Sequence, residues 1–81
     1  MEITAKPDLF WFLKEGTKLD LTQPSTVDLY VQQVLTRGGA EDVKELLRLL
    51  DAASFRAAFR RVKPFIPAEV RSFWEDFLGN H

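Results

Sequence analysis

Cysteine is absent from this chain, which excludes disulfides, thiol nucleophiles and thiolate metal ligands. Histidine occurs only as His81. A soft-metal site, built from cysteine and histidine, is therefore excluded as well. Long apolar runs are missing too. The longest, Leu9–Leu13, is far short of the roughly 20 residues a membrane span requires. Met1–Pro7 carries Glu2 and Lys6 and no apolar stretch of the kind a signal peptide has, so a cytoplasmic protein is expected. No GxxxxGK[ST], GxGxxG or GxSxG occurs, and Gly38-Gly39 follows a helical stretch rather than a strand. Nothing in the chain supports nucleophilic or general acid–base catalysis. The expectation is a non-enzyme with no cofactor and no metal.

Charge of one sign is also scarce. The net charge is −1, which offers no general attraction to nucleic acid or to an anionic membrane. The distribution is uneven, however. Up to residue 36, three lysines face five carboxylates. From Arg37 to Arg71, eight cations face five carboxylates, and Glu75 and Asp76 follow. A mildly basic middle sits between acidic ends.

Apolar residues at helical spacing are what the chain does have. In the last third, Val70, Phe73, Trp74, Phe77 and Leu78 recur at i, i+3, i+4, i+7 and i+8. Val27, Tyr30, Val31, Val34 and Leu35 form a second stripe, on a helix beginning near Ser25 or Pro24 and ending at about Arg37. Gly38-Gly39 closes it, and a left-handed glycine cap is expected there. Val43, Leu46, Leu47 and Leu50 make a third stripe on a helix from Ala40. Asp51 then caps a helix to about Lys63 that buries Phe55, Ala58, Phe59 and Val62. Pro64 stops this helix, and Pro67 opens the last one. Leu9–Leu13, between Pro7 and Gly16, reads as a fifth, very short helix or as a buried extended piece. No segment alternates long enough to announce a sheet. The expected fold is an all-α, compact bundle of four to five short helices in one domain over residues 1–81, with 1–6 and 79–81 frayed. At this length the core margin is thin, and ten aromatics, each able to bury ~150–250 Å², must supply much of it.

Two groups of residues are left over by this scheme. Arg56, Arg60, Arg61 and Lys63 form a basic group on the fourth helix, with Arg56, Arg60 and Lys63 on one face. This group is either a surface for nucleic acid or an acidic protein, or the solvated side of its helix. A DNA-reading helix-turn-helix is disfavoured, because this helix offers no Asn, Gln or Thr to address base edges. Leu29, Leu49, Phe12 and Phe65 are apolar and surplus to the stripes, which makes them a partner surface, a homodimer seam or further core. The candidate partner surface is Phe12, Leu49, Arg56, Arg60 and Lys63.

The order of pieces carries a resemblance. Leu9-Phe10-Trp11 is followed by Lys18-Leu19-Asp20, then by Val34-Leu35 with Arg37-Gly38, an acidic and then leucine-rich helix, a basic helix, and finally Ser72-Phe73-Trp74 before Phe77-Leu78. Over residues 8–78 this resembles a family of small all-helical bacterial and archaeal proteins with LFWD near the start and a closing FW. Phe12 stands where that family has an acidic residue, and Ile66 where it has a polar cap. Many members are encoded beside nucleotidyltransferase-type toxins and are treated as their antitoxins. The resemblance implies a protein that binds another protein, such as a cognate toxin, without catalysis of its own. The residues that carry over are Leu9, Phe10, Trp11, Arg37, Gly38, Phe73 and Trp74, and their expected role is the shared core.

Overall fold

A computed structural model describes residues 1–78 of the chain. Expectations about 79–81, including the fraying of that stretch and the role of His81, fall outside the described residues. The elements run β1 (Glu2–Thr4), β2 (Lys18–Asp20), α1 (Pro24–Arg37), α2 (Ala40–Leu49), α3 (Ala52–Val62), a single 3-10 turn (Lys63–Phe65) and α4 (Ala68–Phe77). The molecule is predominantly helical but not all-α.

The departure from a pure bundle is at the start of the chain. Instead of fraying, residues 2–4 pair antiparallel with β2, Ile3 opposite Leu19. The ladder continues at both ends, from Ala5 N–H to the Thr17 carbonyl and from Leu21 N–H to the Met1 carbonyl, both 2.8 Å. Leu19, Leu21 and Ala5 are buried, so the ribbon is fastened by side chains as well as by backbone. An isolated two-stranded ribbon is marginal in water, and packing against helices is what stabilises this one.

Leu9–Leu13 is not a helix. Leu9 and Phe10 N–H groups both bond the Lys6 carbonyl, and Leu13 N–H bonds that of Phe10, so the segment bends in successive tight turns. The bent chain sends Leu9 and Phe10 inward and leaves Trp11 and Phe12 exposed. Gly16, at φ +84°, closes the segment in the left-handed region that glycine alone enters freely.

Helix α1 is the spine. Its expected stripe Val27, Tyr30, Val31, Val34 and Leu35 is buried, and Gln33 is buried with it. It packs against α2, α3 and β2. The end of α1 corrects the expected cap, since both Gly38 and Gly39 are extended. Gly38 is small for a different reason: a Cβ there would stand 2.6 Å from the Val34 carbonyl oxygen. The phase of α2 is also rotated from expectation, with Leu46 and Leu50 buried, Leu49 packed against the core and Leu47 exposed. Helix α3 buries Phe55, Ala58, Phe59 and Val62 as the spacing predicts, and Asp51 caps it by accepting from Ser54 N–H at 2.7 Å.

Candidate interaction surfaces

Helix α4 has a wider apolar stripe than the core covers. Trp74 is its one buried side chain and packs edge-on against Phe55 of α3, ring centres 5.4 Å apart. Val70 and Leu78 lie half-buried beside it. Phe73 and Phe77 sit on the other edge of the stripe, 60% and 61% exposed. One helical turn apart, their rings stack 20° from parallel with centres 6.3 Å apart. Phe77 also meets Trp74 edge-on at 5.1 Å. An aromatic plate of this kind, anchored by one buried indole, presents apolar surface on a preordered helix.

A second exposed group lies at the bend before β2. Trp11 is 58% and Phe12 51% exposed, and their rings meet at 89° with centres 5.1 Å apart. The Arg37 guanidinium, from the last turn of α1, lies 4.1 Å from the Trp11 ring centre. This cation–π contact fixes the indole, and the cation also suits the negative end of the α1 dipole.

The structure scatters the five residues expected at a partner surface. Phe12 is exposed, whereas Leu49 packs against the core because α2 is rotated. Arg60 is exposed with no acidic partner among the described residues. Arg56 is half-buried, with its Nε enclosed and unpaired among them. Lys63 lies 3.6 Å from Glu75 of α4. Arg61 is held by Asp28 of α1, its Nε donating to both carboxylate oxygens at 2.9 and 2.8 Å, and this keeps the guanidinium charged to unusually high pH. Two of the four cations are therefore engaged within the fold, and the basic face is not continuous.

Of the residues the resemblance carries over, Leu9, Phe10 and Trp74 are in the core. Trp11, Arg37 and Phe73 are exposed and Gly38 is half-buried, which corrects the expectation that all would be core. The exposure of Phe73 and Phe77 was invisible in the spacing, because periodicity shows which residues share a face and not how much of that face is covered. The exposed pair Trp11-Phe12 had one legible sign: five apolar residues in a row cannot all be buried by so short a chain.

A small cavity of about 20 Å³ lies where the ribbon, α1 and α2 meet, lined by Ile3, Leu9 and Phe10 as well as by Thr4, Lys6, Tyr30, Asp42 and Glu45. Lys6 donates to Asp42, and Asp42 accepts from Gly39 N–H at 2.9 Å, and these two bonds hold its carboxyl below the usual carboxylate range. Burial, then the nearby Glu45 and Asp42 charges, push the Tyr30 phenol up to about 12. Among the described residues no group of three or more His, Cys, Asp or Glu is placed to hold a metal ion, and no helix is long and apolar enough to cross a membrane. Compared with family models, with curated proteins and with solved structures, the chain matches none.

Proposed function

We propose that this chain is a non-catalytic protein-interaction module of the cytoplasm that docks a partner protein through the outer face of α4. The observation that carries this reading is the stacked pair Phe73 and Phe77, each about three-fifths exposed on a helix anchored by Trp74. Covering both rings would withdraw roughly 240 Å² of apolar surface, worth about 6 kcal/mol before the costs of association. Aromatic residues, phenylalanine among them, are enriched in protein interfaces relative to the rest of the surface. The finer reading, which rests on the resemblance, is an antitoxin-like protein whose partner is a nucleotidyltransferase-type toxin encoded beside it. Nucleic acid is the weaker alternative, because Arg61 and Lys63 are engaged with Asp28 and Glu75.

Co-expression with the product of the adjacent gene tests the proposal. The expected result is a stable complex and relief of that product's toxicity, both abolished by Phe73→Ser with Phe77→Ser in a chain that still folds. An adjacent gene without a nucleotidyltransferase signature, together with no co-purifying product, removes the antitoxin reading. A wild-type chain that is dimeric in solution and made monomeric by the same substitutions replaces a foreign partner by a second copy.

A further inference from the structure

We propose that the partner of the α4 face is a protein whose docking groove is apolar and rimmed by lysine and arginine, and this rests on Phe73 and Phe77 being the docking pair. The two rings occupy one stripe of α4, and the borders of that stripe differ. Trp74, Val70 and Leu78 lie along one border and close it against the core. Along the other, Glu69 stands four residues before Phe73 and Asp76 three residues after it, the two spacings that make surface neighbours on a helix. Glu69, Ser72 and Asp76 are all exposed. Glu69 pairs with no cation among the described residues. Arg71, the one cation of α4, is half-buried and two residues from Phe73, a spacing that puts it on a different side of the helix. Glu75, also away from the stripe, is answered by Lys63 at 3.6 Å. The exposed rings are therefore bordered by carboxylates and by no cation of their own helix.

The sign of that border selects the occupant. Burying the rings brings the rim of the partner's groove against Glu69 and Asp76. Like charges there repel, while opposite charges attract and speed the encounter. Nucleic acid and an anionic lipid surface are refused, because both present phosphate. A second copy docked face to face is disfavoured as well. A twofold contact uses the same patch twice, so two acidic borders would enter one interface. An apolar groove with a cationic rim satisfies both parts of the patch: the groove covers the rings, and the rim answers the carboxylates. The other exposed aromatic group has the opposite character, since the Arg37 guanidinium lies 4.1 Å from the Trp11 ring centre. It serves as an internal control.

Two amphipathic helical peptides test this on the full chain, sharing one leucine face but bordered by lysine in one and by glutamate in the other. Each is titrated into the protein and followed by NMR. The lysine peptide should bind at least about tenfold more tightly at about 50 mM salt, and the difference should shrink at about 500 mM. Its shifts should fall on Glu69, Phe73, Asp76 and Phe77 and spare Trp11. Glu69→Gln with Asp76→Asn should narrow the preference to about twofold or less, and Glu69→Lys with Asp76→Lys should reverse it. The altered side chains are exposed, so these variants keep the fold. Equal affinity for the two peptides, binding of neither, or a preference that survives both pairs of substitutions overturns the proposal. Phe73→Ser with Phe77→Ser separates it from the reading beneath it. A lysine peptide held as tightly by this variant removes the docking face itself. Binding that needs the rings but ignores the peptide's charge removes only the cationic rim.

Discussion

Phe73 and Phe77 stack across one turn of α4 with their ring centres 6.3 Å apart, while Trp74 between them in sequence turns inward onto Phe55. One helix thus has an anchoring aromatic and a presenting pair, and the two roles separate under mutation. Trp74→Ala should destabilise the chain by about 3–5 kcal/mol, the usual cost of removing a large core ring. Phe73→Ser with Phe77→Ser should change stability by only about 0.5 kcal/mol per site, because the rings are mostly in water. Chemical denaturation of the three chains measures both effects. A large loss in the double variant would make the pair structural.

The two adjacent glycines should respond differently. Gly38→Ala brings a Cβ to 2.6 Å from the backbone oxygen of Val34, which cannot move without disturbing α1, so a loss of about 1–3 kcal/mol is expected. Gly39→Ala meets nothing within 4 Å and should be nearly neutral. Equal melting temperatures for the two variants would show that the close approach is not real.

Gln33 is the buried polar residue that ties α1 to the Leu9–Leu13 bend. Its Nε2 donates to the Leu9 carbonyl at 2.6 Å. Gln33→Met keeps the volume and removes the donor, leaving a buried carbonyl unpaired. The expected cost is about 1–3 kcal/mol, with faster amide exchange across residues 9–13. Unchanged stability and exchange would mean that the bond is dispensable.

Two ionisable groups set opposite pH limits. The Asp42 carboxyl lies below its ordinary value of 3.8, chiefly through Lys6 and then through Gly39 N–H. Its contribution is present above 3.8 and is lost as the pH falls through the lower folded value. Asp42→Asn should flatten the acid limb of a stability–pH curve. The Tyr30 phenol is raised from 10.0 to about 12, chiefly by burial, so its contribution is lost as the pH rises across that interval. Tyr30 is the only tyrosine, so an alkaline absorbance titration reads it directly. Ionisation near 10 in the folded chain would show the phenol to be solvated.

Sequence periodicity located α1 and α3 well because each stripe is interior on both edges and each is bounded by proline, glycine or an acidic cap. It located Gln33 poorly: residue 33 lies three beyond Tyr30, on the same face, but a polar side chain breaks the apolar pattern even when a hydrogen bond buries it. The ribbon was hidden because a three-residue strand cannot display alternation, and its pairing joins Ile3 to Leu19 across a long gap. The Lys63–Glu75 and Arg61–Asp28 pairs, which divide the basic group, join different helices and depend on how those helices pack. The sequence spacing correctly grouped Phe73 and Phe77 with Trp74, but only the packing shows that the pair remains uncovered.

Ring-selective NMR of the chain bound to its neighbouring gene's product is the most direct measurement. The account predicts that the Phe73 and Phe77 ring protons shift and become shielded from solvent on binding, while those of Phe55 and Phe59 in the core stay close to their free positions. A tight complex in which Phe73 and Phe77 remain as they are in the free chain would contradict it.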